Sequence, residues 1–249
     1  ALNEAVRVGE WLAAALEEIK PLETANGAFL LNELGRAYYG LGTPREAVRF
    51  FQRALDIDES ISGNDRALVA KRLNNLSLAL SGIGDYPKAL ENGGKAAGIW
   101  EKKPVENRHR LAECYSNLAT AYRGLGDLIT AETYSRKSVD LFKQEDEKPN
   151  QYVASALNNL GAILAQSGQY KEALACYEAS LSILKPVLGE NHSKIAAVLS
   201  NIGNVWNQRR NRLKAVHYYH RMLSIIENVY GNNHPRYAAG LINVGTVWT

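Results

Sequence analysis

The sequence predicts an all-α solenoid, a stack of helical hairpins, because the chain falls on itself when shifted by 42 residues. Alanine recurs at that spacing at Ala5, Ala47, Ala89, Ala131, Ala173 and Ala215. A second column, Gly35, Ser77, Ala119, Gly161, Gly203 and Gly245, holds only small residues. A third, Leu34, Leu76, Leu118, Leu160, Ile202 and Val244, holds only aliphatic ones. Such a period marks an architecture in which each unit buries its apolar face against its neighbours.

The elements follow in order. Residues 1–24 are in phase with the second half of a unit and predict the second helix of a partial repeat. Complete repeats follow at 25–66, 67–108, 109–150, 151–192 and 193–234, and 235–249 predicts the first helix of another. In the repeat at 25–66, Leu31, Leu34, Tyr38 and Leu41 give one apolar stripe at helical spacing. Gly42-Thr43-Pro44 breaks it, and Ala47, Phe51, Ala54, Leu55 and Ile57 build the stripe of a second helix, closed by Ser62-Gly63-Asn64-Asp65. Small residues in both helices allow close approach.

Three departures stand out. The second helix of the repeat at 67–108 holds Gly93, Gly94 and Gly98, each costing about 1 kcal/mol against alanine. Either that helix is mobile or something packs very close to its backbone. The aromatic column that begins at Phe51 falls to Gly93 and Ser135 before returning at Tyr177 and Tyr219. The turn glycine is replaced by Arg210, which leaves Asn211 expected to carry the left-handed residue. The phase of both ends, and the apolar Leu241, Val244 and Trp248 of the last helix, predict an excerpt of a longer array.

Composition bounds the function. A net charge of +3 argues against a polyanion partner across the whole surface. Cys114 and Cys176 show no metal spacing and fit a reducing compartment. No apolar run reaches a membrane span of about 18 residues, and no signal peptide is visible, so a soluble cytoplasmic chain is expected. No P-loop, HExxH, GxSxG or strand-framed GxGxxG occurs, which predicts a non-enzyme without cofactor. His217 and His220 lie three apart, but their columns hold Arg49, Glu91, Gln52 and Arg136, so an exposed face is expected rather than a metal site. Arg209, Arg210, Arg212 and Lys214 form a basic knot with no aromatic residue interleaved, which reads as a solvated loop rather than a nucleic-acid site. His192 and His234 recur with the connectors and should fix those loops.

Leu31-x2-Leu34-Gly35-x2-Tyr38 followed by Ala47-x3-Phe51-x2-Ala54 resembles the tetratricopeptide repeat, with leucine in place of the opening tryptophan. Leu157-x2-Leu160-Gly161 with Ala173-x3-Tyr177 repeats the pattern. The connectors Leu188-Gly189-Glu190-Asn191-His192 and Tyr230-Gly231-Asn232-Asn233-His234-Pro235, and the run Leu157-Asn158-Asn159-Leu160, are similar to the 42-residue repeats of kinesin light chains. The resemblance covers the whole chain. It implies a right-handed superhelix whose first helices line a concave groove for an extended peptide or partner segment.

Asparagine is a mediocre helix former, yet Asn75, Asn117, Asn159, Asn201 and Asn243 fill one column of the first helices, broken only by Glu33. Asn32, Asn74 and Asn158 stand one residue earlier. The resemblance implies that this column hydrogen-bonds a peptide backbone. The alternative is that each amide bonds a neighbouring helix within the scaffold. Arg36 and Lys71, with Arg72 and Arg123 nearby, would make the groove mildly basic towards the N-terminus, with Tyr39 adding specificity. Beyond them the groove becomes neutral and amide-rich through Asn201, Asn204 and Asn207. The carboxylate-clamp function of chaperone cofactors is not implied, since it needs more cations. The expected function is a protein–protein interaction scaffold. Its rivals are a sensor or regulatory arm of a larger multidomain enzyme, such as a nucleotide-driven switch protein, and a self-association module forming homo-oligomers through exposed ends.

Overall fold

The computed structural model describes Trp11 and residues 24–61, 66–144 and 150–248. Among the described residues the named helices are α1 (Ala25–Gly40), α2 (Pro44–Ile61), α3 (Arg66–Gly82), α4 (Tyr86–Trp100), α5 (Arg108–Leu125), α6 (Leu128–Lys143), α7 (Gln151–Gln166), α8 (Tyr170–Leu188), α9 (Ser193–Gln208), α10 (Arg212–Tyr230) and α11 (Pro235–Gly245). No strand occurs among them, so the all-α class expected from the period is what the chain adopts. No described helix is long and apolar enough to cross a membrane. The chain divides into two compact units between Ser138 and Val139, inside α6.

Within the first unit α1 packs on α2, α2 on α3, α3 on α4 and α4 on α5. The second unit repeats the order through α7, α8, α9, α10 and α11. First helices also touch one another directly: α1 meets α3, α3 meets α5, and in the second unit α7 meets α9. The invariant alanines sit on the second helices and let each pack closely on its neighbours. Ala47, Ala89, Ala131, Ala173 and Ala215 are all fully buried, and Ala5 lies outside the described residues.

The small column and the aromatic column prove to be two halves of one device. A methyl group on Gly35 would lie 2.6 Å from Phe51 Cε1, on Gly161 2.7 Å from Tyr177 Cε1, and on Gly203 2.5 Å from Tyr219 Cε1. Each small residue of a first helix is therefore the socket for the aromatic ring 16 residues later. Where the ring is lost the socket refills: Gly93 stands opposite Ser77, and Ser135 follows Ala119. Volume is exchanged across the helix pair, as close packing demands.

That exchange also decides between the two expectations for the glycine-rich α4. A methyl group on Gly93 would meet Leu118 Cδ2 at 2.8 Å and Ser77 Oγ at 2.9 Å, so close packing is the reason for that glycine. Gly94 and Gly98 face open space. The Gly93 carbonyl accepts from the buried Cys114 thiol at 3.2 Å. Burial, reinforced by the charge of Glu101, pushes that thiol from an ordinary 9.0 up to about 12. The native state keeps this proton between those values while the unfolded chain releases it, so the group lowers stability as pH rises through that window. It is also unreactive below it, because the thiolate is the nucleophile. Iodoacetamide at pH 8 is expected to label only the half-buried Cys176 of the native chain, with Cys114 modified after denaturation; mass spectrometry of both samples checks this.

Buried polar groups are matched along the repeat. Ser138 Oγ donates to the Ala112 carbonyl at 2.7 Å, and Ser180 Oγ, 42 residues on, donates to that of Ala154 at 2.8 Å. The connector histidines fix their loops as helix caps: His192 Nδ1 accepts from the Lys194 backbone N–H, and His234 Nδ1 from that of Arg236, both at 3.1 Å. The Ser62-Gly63-Asn64-Asp65 segment lies outside the described residues.

One expectation is corrected. At four inter-helix turns the left-handed position is Gly42, Gly84, Gly126 or Gly168, with φ between 80° and 86°. In the turn between α9 and α10, Arg210 takes that conformation itself, at φ 58°. Asn211 does not, at φ −92°, because its Oδ1 is engaged as the cap of α10, accepting from the Lys214 backbone N–H at 3.2 Å. Capping fixes Asn211 in a negative-φ conformation, so the residue before it must reverse the chain.

Candidate peptide-binding face

The asparagine column is a ladder between first helices. In the first unit Asn75 Nδ2 donates to Asn32 Oδ1 at 2.7 Å, and Asn117 Nδ2 to Asn74 Oδ1 at 3.0 Å. In the second, Asn201 Nδ2 donates to Asn158 Oδ1 at 3.0 Å and Asn243 Nδ2 to Ser200 Oγ at 3.3 Å. Every rung joins residues 43 apart, one full period plus one step. This is why asparagines come as adjacent pairs: the earlier member receives from the next repeat and the later donates to the previous one. Asn159, half-buried, shares the column of Asn117 and Asn201, and Asn158 that of Asn32 and Asn74.

Burial grades the two members. Asn32 is 0% exposed and Asn74 is buried, while Asn75, Asn117 and Asn201 are half-buried. Each of those three uses one N–H in its rung, leaving a carbonyl oxygen and a second N–H. The rung holds the side-chain amide in one orientation. Glu33, which interrupts the column, ends the ladder instead of breaking it: Glu33 Oε1 accepts from Asn32 Nδ2 at 3.0 Å.

The cations are arranged less favourably than the sequence suggests. Arg36 is exposed but pairs with Glu33 Oε2 at 3.1 Å on its own helix. Arg72 is corrected outright: it is 2% exposed and bound to Asp58 Oδ2 at 2.8 Å, so it belongs to the core between α2 and α3. Lys71 is half-buried and makes no ion pair among the described residues. Tyr39 is half-buried, its ring close to Gly82 at the end of α3, and burial raises its hydroxyl pKa. Asn204 accepts from the Tyr219 hydroxyl at 2.7 Å, which ties the aromatic socket to the ladder-bearing helix.

One feature escaped the sequence reading. The basic knot does have an aromatic residue within it. The Trp206 ring, on the last turn of α9, lies 4.8 Å from the Arg209 guanidinium carbon and 4.1 Å from Lys214 Nζ. The Trp206 Nε1–H is buried without a partner. An unpaired indole N–H costs about 1–3 kcal/mol, which two cation–π contacts of about 0.5–1 kcal/mol each offset in part. The signal was present as Trp206-x2-Arg209, a helical i,i+3 pair, and Lys214 reaches the ring only because the turn folds α10 back. Among the described residues no group of three or more His, Cys, Asp or Glu is placed to hold a metal. His217 packs edge-on against Tyr218.

A tetratricopeptide repeat family model matches residues 27–102, 84–144 and 152–214, and a second model of the same repeat matches 195–236. No curated protein matches the chain. Among solved structures it is similar to BtubC from P. vanneervenii, at 20% identity and a TM-score of 0.69 over 81% of each chain. It is also similar to the nearly identical TPR-like kinesin light chain repeats of Podosopora anserina, at 17% identity and 0.64 over 83% of this chain and 98% of that one. A third is the Rap conjugation gene regulator of plasmid pLS20 in complex with the Phr* peptide, at 14% identity and 0.68 over 89% of this chain and 64% of that one. Identities this low establish likeness of fold.

Proposed function

The chain belongs to the tetratricopeptide repeat family, and from that membership we propose that it is a non-catalytic protein-interaction scaffold whose first helices receive an extended peptide or partner segment. The observation that carries this reading is the ladder. Its rungs hold Asn75, Asn117 and Asn201 in fixed orientations with a carbonyl and an N–H to spare. That pattern complements a peptide bond without demanding charge, and pre-ordering lowers the entropy lost on binding. Scaffold and ligand roles need not compete, because one amide serves both. Asn159 and Asn243 share the same sequence column and would serve likewise, with Arg36, Tyr39 and Lys71 selecting among ligands. The similar Rap regulator holds a peptide, which supports a peptide as ligand here.

The test starts from a binder selected out of a displayed random-peptide library. In the double variant Asn117→Ala, Asn159→Ala, helicity should persist and stability should fall by about 1 kcal/mol per lost hydrogen bond. Fluorescence anisotropy should show binding weakened about tenfold, equivalent to about 1.4 kcal/mol. Reduced stability with undiminished affinity would reduce the ladder to a structural device and end this reading.

A further inference from the structure

We propose that the turn between α9 and α10 is a second binding site, independent of the ladder, for an acidic, partly apolar segment of a partner protein. The charge distribution points there. Between Glu190 and Glu227 the sequence contains no Asp or Glu, yet it holds Lys194, Arg209, Arg210, Arg212, Lys214 and Arg221. Those six cations are twice the net charge of +3 of the whole chain. Four of them fall within residues 209–214, all exposed, and none makes an ion pair among the described residues. Some exposed cations elsewhere are answered on their own helix: Arg49 by Glu46 at 2.8 Å, Lys95 by Glu91 at 2.7 Å and Arg136 by Glu132 at 2.8 Å. This turn places four exposed cations within six residues, with no ion pair to any described residue.

Three further observations make it a built surface. The Trp206 ring holds Arg209 and Lys214 beside it, so two of the cations are positioned before any ligand arrives. Leu213, between Arg212 and Lys214, is 83% exposed, an apolar anchor at the centre of the charge. Arg210 occupies the left-handed turn position that glycine fills at the four other turns named above, so a guanidinium is presented where the backbone favours no side chain at all. Three guanidiniums suit carboxylates, which they grip through paired N–H groups. The cations occupy a single turn, whereas a nucleic acid is tracked by cations spaced along its backbone. Leu213 adds a contact that a phosphate backbone does not use. Arg209 lies eight residues beyond Asn201 on α9, about 12 Å along the helix, so the two sites are separable by mutation.

The probe is a fluorescein-labelled synthetic peptide alternating Glu with Leu, with a Gln-for-Glu version as control, titrated into the full chain and read by anisotropy. Binding is expected for the Glu peptide, weakening steeply as salt is raised. Arg209→Glu with Arg212→Glu should reduce affinity at least about tenfold, and Leu213→Ser a few-fold with the salt dependence unchanged. Asn201→Ala should leave it intact. Circular dichroism verifies folding, and Arg209→Gln with Arg212→Gln replaces the charge reversal if that variant is unfolded. Equal binding of the Gln peptide, or affinity unmoved by the arginine substitutions, overturns the site. Duplex DNA or anionic phosphatidylserine vesicles bound more tightly than the Glu peptide would overturn the choice of a protein partner. Loss of binding in Asn201→Ala alone would place the peptide on the ladder instead.

Discussion

Asp58→Ala is expected to lower the stability of the first unit by about 3–5 kcal/mol, the cost of breaking a buried ion pair from one side. Asp58 on α2 and Arg72 on α3 are 1% and 2% exposed and meet at 2.8 Å. Their match is one-armed, since Asp58 Oδ1 and Arg72 Nη1 are both buried without a partner. Removing the carboxylate leaves the buried Arg72 guanidinium with no ion-pair partner among the described residues. Replacing both partners reverses the logic. Asp58→Leu with Arg72→Met removes two desolvated charges and two orphaned atoms together, so the double variant should be neutral or more stable than the parent. Urea titrations followed by circular dichroism on the three proteins test this. A single variant costing under about 1 kcal/mol, within the range of a surface pair, would mean that the pair is not desolvated as described.

That pair shows where sequence reading stops. The period exposed the helix order, because apolar spacing and turn residues are local properties that repeat. Proximity to Lys71 suggests a groove cation, yet the Arg72 column holds Leu30, Cys114, Ala156, Val198 and Gly240, so its burial is legible in the period while its partner is not. Its partner is 14 residues away on another helix, and only packing brings the two together. The left-handed residue of that turn escapes the sequence for a related reason: asparagine tolerates the left-handed region better than arginine, and nothing in the sequence reveals that the Asn211 side chain is committed to a cap. By contrast the adjacent pairs Asn74-Asn75 and Asn158-Asn159 already spell the ladder, since a rung joining residues 43 apart needs donor and acceptor in neighbouring columns. Only the Trp206-x2-Arg209 half of the cation–π cluster has a fixed helical spacing; Lys214 joins it across the turn, where no spacing is set.

The same substitution should change sign between two places in the chain. Gly94→Ala and Gly98→Ala are each expected to stabilise by up to about 1 kcal/mol, because both glycines sit in α4 facing open space and alanine is the better helix former. Gly203→Ala gains the same propensity and should nonetheless destabilise by up to about 2 kcal/mol net, because overpacking costs up to about 3 kcal/mol. Its new methyl group would lie 2.5 Å from Tyr219 Cε1 and 2.7 Å from Cδ1, so the ring must move. The ring has no room to do so, being 1% exposed, and its hydroxyl is anchored on Asn204 at 2.7 Å. Tyr219→Ser beside Gly203→Ala would recreate the Ala119 and Ser135 combination that another repeat already uses. If small and aromatic columns exchange volume, the double variant should lose less than the sum of the two single changes. Thermal unfolding of the single and double variants measures that coupling, and strict additivity would show that ring and socket are not paired.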